Sequence, residues 1–229
     1  MKCKLCSKSL LVRNGIVRGK QRYKCKNCGY NFVQGDLRRG KNLDKQKLAL
    51  HMYLENMGFR AIGRVLGVSN VTVLNWVKSA GSFIRDYHNQ NKDSSKVQVM
   101  EFDEMWHFIN SKKTKVWIWI ALDRSRFSPI EFATGSRTVK TGKKLWKQVS
   151  QIQCDLYTSD KLPAYKKILP KKKHIAHKRE TTCIESFNSN VRHYLARFRR
   201  KTKCYSKSED MIINSLYLLK YKDFILSIY

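Results

Sequence analysis

The pattern of hydrophobic and polar positions divides the 229-residue chain into three stretches. Up to residue 35, apolar side chains are too few to close a core of their own, and Lys, Arg and Gly are frequent. Leu48, Met52, Ile62, Val65, Leu66, Val73, Leu74 and Val77 then recur mostly three or four apart, which predicts helices within 42–82. Gly67 reads as a helix stop and Ser69 or Asn70 as a new N-cap, so 59–76 predicts two helices meeting at a sharp turn. Ile62, Val65 and Leu66 form the expected inward face of the first. The run DYHNQNKDSSK at 86–96 is polar and aperiodic, and it centres a linker expected at 83–96.

From Val97 the chain turns β-branched and aromatic in short runs. Strands are predicted at 97–109, 115–123, 130–134 and 154–158, with helices at 142–151, 182–198 and 208–220. The order β, β, β, α, β, α predicts an α/β or α+β layered domain with a central sheet over 97–229.

Charge narrows the partner. With 47 Lys and Arg against 17 Asp and Glu, the formal net charge is +30, which favours a polyanion and ranks nucleic acid above an anionic membrane surface. The absence of a run of 18 apolar residues or of a hydrophobic leader gives the expectation of a chain without membrane span or signal peptide. Seven Cys, four of them in two close pairs, suit a reducing compartment, so the expected location is the cytoplasm, with DNA.

Cys3-x-x-Cys6 and Cys25-x-x-Cys28 are two thiol pairs 18 residues apart, the spacing of a tetrahedral zinc site. A structural zinc ribbon over 1–35 is expected, with the metal replacing the missing core. In the two-helix unit, the second helix exposes Asn70, Thr72, Asn75 and Lys78 to a major groove, while Arg60 and Arg64 suit phosphates. Residues 161–203 hold 14 Lys or Arg against Glu180 and Glu185; Lys171, Lys172, Lys173, Arg197, Arg199 and Arg200 are expected on DNA backbone.

Acidic residues are scarce, so those beside predicted strands stand out: Glu101, Asp103, Glu104, Asp123, Asp155, Asp160 and Glu185. Oxygen ligands of this kind hold hard cations, and paired magnesium ions serve phosphodiester chemistry. Strand alternation puts Glu101 and Asp103 on one face and Glu104 on the other, which argues against Asp103 and Glu104 sharing one ion. Periodicity does not select the ligands among the seven.

Three features together resemble the insertion-sequence-one transposases: the four-Cys ribbon with QRYKC, the stretch GFRAIGRVLGVSNVTVLNWVK, and a body marked by EFDEMWHF, YTSD and CIESFNSNVRHYLARFRR. The resemblance covers nearly the full chain. It implies a ribonuclease H-like catalytic domain of the retroviral-integrase branch with an Asp, Asp, Glu triad, which the motifs carry to Asp103, Asp160 and Glu185. It further implies two catalytic magnesium ions on the triad, with manganese as substitute, and double-stranded DNA as partner. Terminal inverted repeats would be cut and joined to target DNA by at least a dimer. Seven residues after Glu185 on one helix, Arg192 is expected to face the same way and hold phosphate. Related transposases carry a Tyr and an Arg ahead of the Glu; Lys178 and Thr181 stand there, so Lys178, Arg179 or His177 substitutes in that auxiliary role. The rival expectation is a DNA-binding regulator of transposition that has lost catalysis.

Overall fold

A computed structural model describes residues 1–3, 6, 8–35 and 43–228. The expected start of the helical region at 42 lies outside the described residues. The chain divides into two compact units, 1–48 and 49–229.

In the first unit, β1 (Leu11–Val17), β2 (Lys20–Cys25) and β3 (Asn31–Val33) form an antiparallel sheet in that order. The β1–β2 reversal uses Arg18 and Gly19, both with positive φ, as a tight hairpin turn demands. Phe32 is buried and stacks on Tyr23 at 5.9 Å, a core of very few side chains.

In the second unit, α1 (Leu43–Leu54), whose last residues enter it, is followed by α2 (Phe59–Leu66) and α3 (Asn70–Gln90). Gly67 adopts the left-handed conformation that ends α2, and the Ser69 hydroxyl accepts from Thr72 N to cap α3, as the sequence predicted. Val65 differs from expectation: it is exposed, and the α2 face that packs inward carries Ile62 and Leu66.

Residues 83–90 of the expected linker belong to α3. Val77, Gly81, Ile84 and His88 are spaced four, three and four apart and make one buried stripe, so the helix continues while that stripe has something to cover. Polar composition hid this, because the exposed faces of the same turns carry Asp86, Asn89 and Gln90. The remainder, 91–96, has no regular structure.

A five-stranded mixed sheet follows. It contains β4 (Val97–Ile109), β5 (Ser111–Asp123), β6 (Ser128–Gly135), β7 (Cys154–Ser159) and β8 (His174–Ala176), in the order β6-β5-β4-β7-β8. The first three pair antiparallel; β7 runs parallel to β4 and β8 parallel to β7. Between β6 and β7, α4 (Val139–Val149) lies on one face, where Leu145 and Val149 join Phe102, Trp119 and Tyr165. The other face carries Met105, Ile118 and Ile120 against α5 (Thr182–Tyr194) and α6 (Glu209–Lys220); α7 (Lys222–Ile228) follows α6.

The same core continues into α1, α2 and α3 through Tyr53, Ile62, Val77 and Ile84. A Cβ on Gly81 would stand 2.6 Å from Asn214 Cβ, so α3 and α6 cross too closely for any side chain there. α5 stops at Tyr194 rather than 198 because Leu195 is extended, and a separate turn covers Ala196–Phe198. Among the described residues no helix is long and apolar enough to cross a membrane.

Candidate functional site

The four Cys predicted to hold zinc come together. Cys3 and Cys6 precede β1, Cys25 ends β2, and Cys28 lies in the turn before β3, where Gly29 has φ +73°. Their sulfurs lie within 4.8 Å of one another, and Cys3–Cys28 and Cys6–Cys25 are each 3.6 Å apart. Tetrahedral zinc with bonds of about 2.3 Å needs sulfurs roughly 3.8 Å apart, so the set fits that ion. The thiols also pull one another's acidity apart. The Lys8 backbone holds Cys6 down at about 6, whereas at Cys28 the lowering by the Tyr30 backbone is outweighed by desolvation and the other thiols, which push it to about 12.

The carboxylates are built on the sheet centre. Asp103 lies in β4, and β7 runs beside that strand with Phe102 opposite Ser159, so Asp160, the next residue, emerges next to Asp103. Beyond Ser159 the β4 edge has lost its neighbour. Side chains from both faces of β4 can then reach round it, and the oxygens of Asp103, Glu104 and Asp160 lie within 4.8 Å of one another. This corrects the face argument that separated Asp103 from Glu104: β5 still pairs with both residues, but on the β7 side, open beyond Phe102, side chains from opposite faces meet around the strand.

Glu185 occupies the first turn of α5, exposed, with Oε1 3.4 Å from the Thr181 hydroxyl. It falls outside the 4.8 Å group, yet its charge is felt at Asp103. Burial, Glu104, Asp160 and Glu185 together push the Asp103 carboxyl up to about 7, against a lowering backbone hydrogen bond. Asp103 Oδ2 accepts from Asn188 Nδ2 at 2.8 Å. Sequence reasoning missed Asn188, although it sits one turn beyond Glu185 on the same face.

The surroundings differ sharply among the acids. Glu104 is engaged on both oxygens, by Arg137 Nε at 2.6 Å and by the Tyr165 hydroxyl at 2.7 Å, and Arg137 stacks over Trp117 at 4.6 Å. Burial raises the Glu104 pKa despite these partners. Asp160 turns Oδ1 to the backbone N–H of Leu162, a turn role, and leaves Oδ2 3.9 Å from Arg137. Among the described residues, neither Asp103 nor Glu185 has an ion pair within 4 Å.

Arg192 is half-buried, with NH1 3.4 Å from Asn188 O; burial and Arg200 lower its pKa while Asp103 opposes them. Lys178 and Arg179 lie exposed in the turn before α5, and Lys171, Lys172, Lys173, Arg199 and Arg200 are exposed as well. Arg197 overturns its assignment to DNA backbone. It is only 4% exposed, lies over the rings of Tyr53 and Phe59, and donates to Ser206 and Met211, so it is a core residue. The break at Leu195 turned it inward. Arg60, Arg64, Asn70, Asn75 and Lys78 are exposed, whereas Thr72 is half-buried with its hydroxyl 2.9 Å from Ser69. A cleft of about 670 Å³ is lined by Arg60, Arg64, Asn70, Lys78, Lys203 and Lys207, among others.

A mixed sheet with carboxylates converging beside its central strand defines an α/β domain with an acidic cluster of the donor type that suits a hard cation. The chain belongs to the IS1 transposase family, whose domain model matches residues 97–220. It is 33% identical over 118 residues to the insertion element IS1 4 protein InsB of Escherichia coli (strain K12), a match covering 52% of this chain and 71% of the relative. It is 34% identical over 111 residues to the insertion element IS1 protein InsB of Shigella flexneri, covering 48% and 85% respectively. Among solved structures, a distant likeness is to a chain of the simian T-cell lymphotropic virus intasome in complex with PP2A regulatory subunit B56 gamma. Its TM-score is 0.40 at 14% identity, over 76% of this chain and 67% of that one.

Proposed function

We propose that this transposase cuts DNA at the ends of its insertion sequence and joins the freed ends to target DNA, using Asp103, Asp160 and Glu185 on a ribonuclease H-like domain. The observation that carries the reading is the convergence of Asp103, within β4, and Asp160, just past the end of β7, with Glu185 on the helix whose Asn188 donates to Asp103. Glu104 is the less suited ligand of its group, because Arg137 and Tyr165 already satisfy both its oxygens. The sheet order, three antiparallel strands followed by two parallel ones, agrees with that fold.

Hard oxygen donors that repel one another fit magnesium or manganese. When bound, two such ions activate the attacking oxygen and stabilise the leaving one. The residues themselves divide the remaining work. Asp103 holds its oxygens within the central strand and Asp160 just past the end of β7, Asn188 fixes the Asp103 rotamer, and Arg192 steadies a phosphate beside them. Water attacks the phosphorus at the element end and the bond to O3′ breaks; the resulting 3′ hydroxyl then attacks a target phosphodiester and displaces its O3′. Arg60, Arg64, Asn70, Thr72, Asn75 and Lys78 contact terminal inverted repeats. Lys171, Lys172, Lys173, Lys178, Arg179, Arg199 and Arg200 neutralise backbone. Cys3, Cys6, Cys25 and Cys28 hold a structural zinc in a ribbon at 1–35, followed by a helix-turn-helix at 42–82 and the catalytic domain at 97–229. Two element ends require at least two copies on DNA.

The test incubates zinc-loaded protein and magnesium with labelled DNA carrying the inverted repeats that flank the gene, alongside Asp103→Asn and Asp160→Asn. Equal end binding by all three, with cutting and joining by wild type alone, is the expected result. End binding by wild type without cutting in magnesium or manganese would replace this reading with that of a regulator.

A further inference from the structure

Two residues before Asp103 on β4, Glu101 is completely buried, and both its oxygens are used. Oε1 accepts from Arg124 Nε at 2.5 Å, and Oε2 accepts from the backbone N–H of Ile184 at 2.9 Å. Ile184 is the third residue of α5 and immediately precedes Glu185. The amides of a helix's first turn have no partner within the helix, and the α5 N-cap, Thr181, makes no side-chain cap. A carboxylate from the central strand supplies one instead, with its charge favourably placed at the positive end of the helix.

Arg124 carries the connection to the chain entering α5. Its NH2 donates to Glu180 O at 2.7 Å and lies 3.1 Å from the Glu180 carboxylate. The Thr158 hydroxyl on β7, two residues before Asp160, donates to the same Glu180 carbonyl at 2.9 Å. The turn bearing Glu185 is therefore tied at Glu180 O, at the Glu180 side chain and at Ile184 N, by Glu101 on the strand that carries Asp103, by Thr158 on the strand that leads into Asp160, and by Arg124 in the turn that follows β5.

We propose that Glu101 and Arg124 are positioning residues of the transposition reaction: they set the distance between Glu185 on α5 and the Asp103–Asp160 pair on the sheet. This rests on the proposed role of the triad. A charged pair with no solvent exposure on the acid is an expensive way to staple a helix, since breaking it strands a buried charge. Its placement on both sides of the triad explains why the staple is there. A displacement near 1 Å of one group in such a site lowers the rate by about 10²-fold.

The experiment compares wild type, Glu101→Gln, Arg124→Gln, Glu185→Gln and Glu131→Gln in single-turnover joining of pre-cut ends, normalised to the folded, end-binding fraction. Magnesium is titrated for each. Glu131 lies on β6, its carboxylate bonded to α3 and α6 rather than to α5, and its variant controls for lost stability. Expected are a loss of about 10- to 100-fold for Glu101→Gln and Arg124→Gln, a raised half-saturating magnesium concentration, unchanged end affinity, and a wild-type rate for Glu131→Gln. Wild-type rates and magnesium response in both Glu101→Gln and Arg124→Gln, with Glu185→Gln inactive, overturn this inference alone. An active Glu185→Gln overturns the triad reading beneath it.

Discussion

Glu131 is a buried acid held by three side chains. It is 3% exposed and receives the Tyr217 hydroxyl at 2.6 Å, His88 Nε2 at 3.1 Å and Lys92 Nζ at 2.5 Å, which join β6 to α6 and α3. Burial alone would raise its pKa; the donations from His88, Lys92 and Tyr217 outweigh burial and hold it at about 2, against an ordinary 4.5. At about 1.4 kcal/mol per pH unit that depression corresponds to roughly 3 kcal/mol of folding stability at neutral pH. Lys92 is 44% exposed, so solvent screens its share and most of the effect belongs to His88 and Tyr217. The carboxylate's pKa is depressed on folding, so its contribution is complete above about 4.5 and is lost as pH falls towards 2. Glu131→Gln turns an amide N–H2 towards at least one donor and removes the titration. In urea unfolding at pH 7 its midpoint should fall by an amount equivalent to about 2–4 kcal/mol at unchanged slope. The wild-type advantage should shrink between pH 4.5 and 2. A loss below about 0.5 kcal/mol, within the range of an ordinary surface substitution, or an advantage independent of pH, would refute this account of how α3 is fastened to the sheet.

Asp103 titrates in the opposite sense. With its folded pKa raised to about 7, it favours the metal-free fold below its ordinary 3.8, and that contribution is lost as pH rises through 7. A cation must displace this proton, so manganese affinity should climb up to about pH 7 with release of about one proton, read by calorimetry in buffers of differing ionisation enthalpy; affinity flat from pH 5 to 8 would refute it. Arg197→Ala should cost about 2–4 kcal/mol in stability and leave the salt dependence of DNA binding unchanged, because its guanidinium is packed on Tyr53 and Phe59. Arg199→Ala and Arg200→Ala should each reduce that salt slope by roughly 0.9 with little change in melting. Cys25→Ser, or a strong chelator, should release zinc and abolish protection of the β1–β3 amides in hydrogen exchange; protection retained without metal would show that the apolar cluster around Phe32 suffices.

The sequence made the elements legible where one periodicity ruled. The runs that became β4 and β7, the cap at Ser69 and the stop at Gly67 were readable because each depends on residues adjacent in sequence. The α3 extension to Gln90 was hidden because its stripe includes a glycine and a histidine, which no hydrophobicity pattern counts as core. β8 is three residues long and follows three lysines, so its pairing with β7 supplied what its composition did not. At the site, the Cys spacing was sufficient by itself, whereas the carboxylates needed the family resemblance, since convergence is decided by which strands are neighbours. Arg197 and Glu101 went unrecognised for the same reason: the partners of Arg197 are at Tyr53 and Phe59, and those of Glu101 at Arg124 and Ile184. No local pattern reports such pairings.

Glu185, rather than Glu104, is the residue proposed to complete the site with Asp103 and Asp160. The most direct measurement is the single-turnover rate of joining pre-cut ends in magnesium by Glu185→Gln and Glu104→Gln, each shown to bind the ends as wild type does. The account predicts a loss of at least about 10³-fold for Glu185→Gln and a rate within about tenfold of wild type for Glu104→Gln. The reverse order would contradict it and give the third place to Glu104.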